Sequence, residues 1–172
     1  MQLEKINPED FADIYEEMEK NFILAERRDF APAYELLQQE EFTIYHLLDE
    51  GEKVGFISLW QLKGFTYVEH FVVYESHRNR GYGAKALTAV KEQNPCVVLE
   101  AELPKDEMTK RRIGFYQRNG FVRNEKPYMQ PAYRLGGEEV PMTIMSYPTG
   151  LDNFENIVGE IYQKVYRKTR LR

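Results

Sequence analysis

Positive charges and two glycines are concentrated in one short segment that could bind an anion. The segment reads Arg78-Asn-Arg-Gly81-Tyr-Gly83-Ala-Lys85, and it lies between an apolar run at 68–74 and a helical pattern. The first turn of a helix leaves several main-chain N–H groups without a helical partner, and the helix dipole adds partial positive charge. The pattern therefore predicts a phosphate-binding turn, although flexible glycines among solvated charges would give the same pattern.

A second motif follows in a basic helix predicted over 108–119. It reads Phe115-Tyr116-Gln-Arg-Asn-Gly120-Phe121, in which Gly120 is expected to end the helix and Phe121 to begin a strand. The two segments resemble, in this order, the Gln/Arg-x-x-Gly-x-Gly/Ala and Phe/Leu-Tyr-x-x-x-Gly-Phe motifs of the GNAT N-acetyltransferases. The resemblance extends over 3–147 and is strongest over 69–121.

The resemblance implies acetyl transfer from acetyl-CoA to a primary amine of a small molecule or peptide, without a metal. Main-chain groups of the strand predicted from the apolar run at 68–74 would contact the pantetheine arm and the thioester carbonyl. The glycine turn that follows it would hold the pyrophosphate. The cofactor-binding residues that it implies are Phe71, Val72, Val73, Arg78, Arg80, Gly81, Tyr82, Gly83, Ala84 and Lys85.

Tyr116 matches the family's general acid, which would protonate the departing thiolate, although a core aromatic on an amphipathic helix is the alternative. Thr109 stands where many relatives carry an asparagine that contacts pantetheine, so that role is not carried over.

An amine that is protonated at neutral pH needs a base before it can attack. Glu69, on the strand before the turn, is the first candidate, and Glu100 on a later strand is the second. Glu102 shares a strand face with Glu100, and this face is either solvent-exposed or part of a cleft. His70 is a weaker candidate, expected on the opposite face from Glu69. A chain of water molecules could also take the proton.

Length and composition predict one soluble domain. The chain has 172 residues, of which 42% are hydrophobic and 30% charged, and its net charge of −5 argues against nucleic-acid binding. Cys96 is the single cysteine, which excludes an intrachain disulfide. The sequence shows no signal peptide or run of membrane length, so a cytoplasmic protein without membrane contact is expected, and a homodimer is plausible without a feature that supports it.

The pattern predicts an α/β (α+β) fold of GNAT type, with a central mixed, largely antiparallel sheet flanked by helices and a single domain over 1–172. Strands are expected at 2–6, 43–49, 53–62, 66–74, 96–103, 121–124 (resuming near 128) and 140–147. Helices are expected to residue 21, at 31–39, from 84 to 93, at 108–119 and at about 152–168, before a basic tail. Residues 26–29 are expected to be exposed, and 128–133 to be either a loop over the acceptor site or irregular core.

The runner-up interpretation is a non-catalytic GNAT-fold module that binds CoA or another ligand. Tyr116 argues against it, because a binding module would not need a general acid. Glutamates near the expected cleft suit a cationic acceptor. The sequence favours no particular amine, acyl chain or oligomeric state.

Overall fold

A computed structural model describes residues 1–168, in which one eight-stranded sheet is flanked by five α-helices. The strands are β1 Gln2–Lys5, β2 Phe42–Asp49, β3 Glu52–Leu62, β4 Phe65–Val73, β5 Val97–Glu102, β6 Val122–Arg123, β7 Tyr128–Gln130 and β8 Val140–Tyr147. The helices are α1 Phe11–Asn21, α2 Phe30–Glu35, α3 Tyr82–Gln93, α4 Glu107–Arg118 and α5 Phe154–Lys164.

The sheet has the order β1-β2-β3-β4-β5-β8-β6, and β7 also pairs with β8. Every pair is antiparallel except β4 and β5, which are parallel and are connected through α3. The predicted fold class is confirmed: the sheet is mixed, largely antiparallel and flanked by helices.

Alternating side chains divide the apolar residues into two cores, one on each face of the sheet. Tyr67 and Val98 point to the face covered by α1, α2 and α5. Val68 and Leu99 point to the opposite face, which α3 and α4 cover. The helices bury one stripe each, as Ile157 and Ile161 of α5 show, so each helix is stabilised mainly by its contact with the sheet.

Local signals set the ends of the two helices that carry the motifs. Gly81 precedes α3 with a φ of +81°, a left-handed conformation that glycine adopts without steric cost. At the start of α4, the Asp106 carboxylate accepts from the Thr109 N–H at 2.8 Å, and the Asp106 N–H donates to the Thr109 hydroxyl at 3.0 Å. Thr109 is thus part of a helix cap.

The strand that was expected to resume near 128 is present as β7. Three details differ from the sequence prediction. The second predicted helix is shorter, Phe30–Glu35, and continues as a 3₁₀ turn over Leu36–Gln38. The last helix covers Phe154–Lys164, and the basic tail continues beyond the described residues at 169–172. The expectation that 26–29 is exposed is wrong for Arg28, whose side chain is only 10% exposed because it pairs with a buried carboxylate.

Candidate functional site

The parallel strands β4 and β5 separate after three paired residues. Thr66, Tyr67 and Val68 pair with Val97, Val98 and Leu99, whereas β4 stays paired with β3 as far as Val73. Beyond that point, the Tyr74 N–H donates to the Val54 carbonyl at 2.9 Å. Because main-chain groups point to alternate sides of a strand, those of Phe71 and Val73 point away from β3. They face the gap, which connects the two faces of the sheet.

A β-bulge in β4 lies at the start of this gap. Ser58 and Leu59 of β3 pair with His70 and Val68, which leaves Glu69 as the extra residue. The bulge interrupts the alternation of side chains, so Glu69 and His70 lie on the same side of the sheet. The Tyr133 ring stacks on His70 with centroids 6.3 Å apart, while its hydroxyl donates to Glu69 at 3.0 Å. The expectation that these two residues face opposite sides is therefore wrong.

A basic groove of about 900 Å³ lies between the start of α3 and α4; we call it the α3–α4 groove. The Lys85 N–H makes the first helical hydrogen bond of α3, to the Gly81 carbonyl at 3.2 Å. The N–H groups of Tyr82, Gly83 and Ala84 therefore have no partner within the helix. The groove is lined by these residues and by Arg78, Asn79 and Gly81 of the loop and Arg111, Arg112 and Arg118 of α4.

Two predicted loop cations do not line this groove. The Lys85 ammonium pairs with Asp49 at 2.8 Å, and Arg80 is exposed. Arg78 lines the groove and donates to the Asn21 side chain at 2.6 Å. Sequence reasoning missed Arg111 and Arg118, although their spacing of seven residues places them on one side of α4 two turns apart.

Gly83 also sets the distance between the two helices of the groove. A Cβ atom at this position would lie 3.0 Å from the ring of Phe115, closer than side chains normally approach. Phe115 belongs to the second sequence motif and Gly83 to the first. The two motifs are therefore in direct contact, and a side chain at position 83 would alter the packing of the helices as well as the approach to the loop.

A cavity of about 490 Å³ lies across the gap from the groove; we call it the β4–β5 cavity. Phe71, Val73 and Tyr116 line both spaces, so Tyr116 lies in their common wall. Burial raises the pKa of Tyr116 to about 12, so its hydroxyl keeps its proton at neutral pH. A hydroxyl at this position could donate a proton to a group that lies in the gap.

Glu100 lines the β4–β5 cavity, and a part of its surface remains accessible from it. The Tyr166 hydroxyl lies 2.8 Å and 3.0 Å from the two carboxyl oxygens, and the Tyr128 hydroxyl also donates to this carboxyl. Burial raises the pKa of Glu100 to about 7, although the tyrosine hydroxyls lower it. A carboxyl with this pKa can take up and release protons near neutral pH.

Glu69 is held differently. Its side chain is 1% exposed, and its carboxylate accepts from the Arg28 guanidinium, from the Trp60 indole N–H at 2.9 Å and from the Tyr133 hydroxyl. Burial is the largest single effect and would raise its pKa, but the charge of Arg28, together with His70 and the hydrogen bonds from Trp60 and Arg28, lowers the pKa of Glu69 below its ordinary value. Glu69 also lines the β4–β5 cavity, but its carboxylate is a weak base that is already occupied by three donors.

Two more carboxylates lie along the β4–β5 cavity. Glu102 accepts from Arg112, whereas burial, reinforced by the charge of Glu102, raises the pKa of Glu26. His70 donates through Nε2 to the Glu26 carbonyl at 3.0 Å, and burial lowers its pKa, so the ring is neutral. The lining contains four glutamates, including Glu69, against the three cationic side chains of Lys20, Arg78 and Arg112, and this small acidic excess favours a cationic ligand.

The chain is similar over almost its whole length to a solved protein from Bacteroides thetaiotaomicron that is assigned to the GNAT acetyltransferases. The two are 33% identical, the match covers 96% of this chain and 98% of the other, and the TM-score is 0.91. The chain belongs to the GNAT family. In agreement with this, residues 40–123 match the family model described as an acetyltransferase (GNAT) domain.

Three further proteins are similar to this GNAT chain. The Bacillus subtilis (strain 168) protein YjbC, assigned as an acetyltransferase, is 34% identical over 110 residues, which make up 62% of this chain and 55% of that protein's length. A variant of spermidine N-acetyltransferase SpeG from Vibrio cholerae has a TM-score of 0.63 at 13% identity, over 85% of this chain and 94% of SpeG. An aminoglycoside 6'-N-acetyltransferase complexed with coenzyme A has a TM-score of 0.57 at 14% identity. The match covers 89% of this chain and 100% of that enzyme. These last two show the shared fold.

The range that matches the GNAT model contains most of the α3–α4 groove, Tyr116 and both glutamates that were predicted as bases. Four residues that surround these glutamates lie outside it: Arg28, Tyr128, Tyr133 and Tyr166. Sequence reasoning missed Arg28, Tyr133 and Tyr166 as site residues. The only signal was the run of aromatic residues at 128–133, interpreted there as a loop or irregular core.

Within residues 1–168, no group of three or more His, Cys, Asp or Glu side chains is arranged to hold a metal ion. No helix among the same residues combines the length and apolar character needed to cross a membrane.

Proposed function

We propose that this GNAT chain is an N-acetyltransferase that moves the acetyl group of acetyl-CoA to a primary amine of a small molecule or peptide. The observation that carries the proposal is the position of Tyr116 in the common wall of a basic groove and an acidic cavity. The groove suits the phosphates of CoA, and the cavity suits an amine. We further propose that residues 1–172 make up one catalytic domain.

The lining of the α3–α4 groove fits acetyl-CoA, which supplies the thioester. Three main-chain N–H groups at the start of α3, with Arg111 and Arg118 across the groove, offer donors and positive charge to a pyrophosphate. Phe71 and Val73 direct main-chain groups into the gap, where an N–H group can stabilise negative charge on the thioester oxygen. That the aminoglycoside enzyme of the same fold was solved with coenzyme A supports this assignment.

Glu100 replaces Glu69 as the first candidate for the general base. A lysine-like amine has an ordinary pKa near 10, so about one molecule in a thousand is neutral at pH 7. Glu100, which lines the β4–β5 cavity and has a pKa of about 7, can accept the amine proton. Tyr116 then donates its proton to the departing thiolate across the common wall. Because the pKa of Tyr116 is about 12 and that of Glu100 is about 7, Tyr116 keeps its proton while Glu100 is ionised.

The acceptor is expected to be cationic before it reacts. Glu26, Glu100 and Glu102 line the β4–β5 cavity, where Arg112 offsets part of their charge. The names of two proteins of the same fold, a spermidine and an aminoglycoside acetyltransferase, agree with an acceptor of this class. Cytoplasmic location and dimerisation stay predictions of the sequence.

The proposal is tested by incubating the protein with acetyl-CoA and a panel of amines that contains diamines, polyamines, aminoglycosides and lysine peptides. Release of free thiol is followed, and a product heavier by one acetyl group is identified by mass spectrometry. Thiol release that depends on the amine, with a matching product, supports the enzyme. Tight CoA binding without release for any amine would favour the binding module instead.

A further inference from the structure

Arg28 joins four separate parts of the chain inside the protein. Its guanidinium donates to the Glu69 carboxylate on β4 and to the Val165 carbonyl at the end of α5, the latter at 2.6 Å. The same group lies 4.6 Å from the centre of the Tyr133 ring, a cation–π arrangement. Such a cluster is more than a surface ion pair, because breaking it would leave a buried charge without a partner.

Aromatic side chains connect this cluster to Glu100. The Tyr133 hydroxyl donates to Glu69, the Tyr133 and Tyr166 rings lie 4.8 Å apart, and the Tyr166 hydroxyl donates to Glu100. Arg28 also fixes the backbone at Val165, the residue before Tyr166. Removing the cluster would therefore free the tyrosine that holds the Glu100 carboxyl.

We propose that Arg28 and Glu69 form a positioning pair for Glu100, which keeps the surrounding tyrosine hydroxyls in place and presents no net charge to its carboxyl. The inference rests on the proposed function only in calling Glu100 a base. In this proposal, Glu69 of β4 acts on Glu100 and does not contact the substrate.

The pair is expected to act on Glu100 through charge as well as position. The ionisable groups around Glu100 come from five segments and are Tyr67, Glu69, Tyr128, Tyr133, Tyr166 and Arg28. The negative charge of Glu69 raises the pKa of Glu100. A positive charge held against Glu69, that of Arg28, is expected to oppose this effect. Removing Arg28 or Glu69 should therefore shift the titration midpoint of Glu100, in a direction that depends on which of the two is lost.

The test is a titration of Glu100 in protein labelled with ¹³C at the glutamate carboxyl carbons. Its resonance is assigned by its loss in Glu100→Gln. In Glu69→Gln, the unpaired Arg28 should lower the midpoint by about 0.5–1 pH unit, and in Arg28→Gln the unpaired Glu69 should raise it by a similar amount. The double variant should return toward the wild-type midpoint. Asp49→Asn breaks an ion pair outside the cavity and serves as the control, with no expected shift.

Shifts of the Glu100 midpoint in opposite directions in the two single variants support the positioning pair. A general loosening of the structure would shift the midpoint in the same direction in both variants. The proposal is overturned if the midpoint stays or rises in Glu69→Gln, or stays or falls in Arg28→Gln. Circular dichroism checks the fold. If Arg28→Gln does not fold, the nearly isosteric Glu69→Gln decides alone. Because the titration needs no turnover, it decides the inference even if the amine panel shows no acetyl transfer.

Discussion

The α3–α4 groove and the β4–β5 cavity share a wall but are built in different ways. The groove is formed by a loop and the first turn of α3 and by one helix, α4, so its donors come from segments that are continuous in sequence. The environment of Glu100 is assembled from residues between Arg28 and Tyr166. Local backbone geometry therefore suffices for an anion site, whereas a carboxyl with a shifted pKa requires the folded chain as a whole.

The two regions also differ in how much of their charge is available to a ligand. In the groove, main-chain N–H groups and arginines of α4 face the open space. In the cavity, Glu69 is neutralised by Arg28 and Glu102 is paired with Arg112. Neither Glu100 nor Glu26 forms an ion pair within the part of the chain that the structure describes, although the charge of Arg112 acts on Glu26 from a distance. Variants on the two sides should accordingly separate turnover from cofactor affinity.

The largest effect is expected for Glu100→Gln. Loss of a general base should lower kcat by about 10²–10³-fold, while the Kd for CoA, measured by calorimetry, stays at the wild-type value. Glu102→Gln is the matched control on the same strand and should alter the KM of the amine more than kcat. An unchanged kcat in Glu100→Gln would return the role of base to another group or to water.

Tyr116→Phe should lower kcat by about tenfold or more at neutral pH, with CoA affinity unchanged, because the general acid is lost and the ring is kept. Single-turnover and steady-state rates check this. Tyr147→Phe removes a hydroxyl from the same core but outside both spaces, and should retain wild-type turnover. Equal rates for Tyr116→Phe and the wild type across the pH range would remove Tyr116 from the acid role.

A smaller effect is expected on the groove side. Arg111→Gln and Arg118→Gln should each raise the Kd for CoA by about 3- to 10-fold, since each removes one exposed charge near the phosphates, and kcat at saturating acetyl-CoA should not change. Titrations at low and high salt measure the effect. Arg80→Gln is the control, because Arg80 does not line the groove. A comparable loss in Arg80→Gln would mean that the loop cations bind as the sequence predicts.

The smallest effect concerns stability. The pKa of Glu100 is raised from an ordinary value of 4.5 to about 7 on folding, so its stabilising contribution is complete below 4.5 and is lost as the pH rises through 7. Glu100→Gln cannot ionise. Its Tm relative to wild type should therefore increase by about 5–10 °C between pH 5 and pH 8, measured by thermal unfolding. A Tm difference that does not change with pH would show that the pKa of Glu100 is similar in the folded and unfolded states.

Sequence reasoning succeeded where the determinants are local. The strands, α3, α4 and the glycine turn follow from periodicity and caps within a few residues, and the groove follows from them. It was misleading at Glu69, because one extra residue in β4 changes which side chains face the cavity, and nothing in a strand pattern marks a bulge. Arg28 looked like a solvated charge because its partner is 41 positions away.

The contact between Arg28 and Val165 spans 137 residues. A contact between residues so far apart in sequence has a high cost in loop-closure entropy. Because the ribosome synthesises the chain from the N-terminus, Arg28 can make this contact only after residue 165 has been added. The β4–β5 cavity should then be the last part of the protein to become complete, after the α3–α4 groove has formed. Pulsed hydrogen exchange during refolding would show this order as early protection in α3 and late protection in α5. A newly made chain would thus be able to hold its cosubstrate before it has a working base.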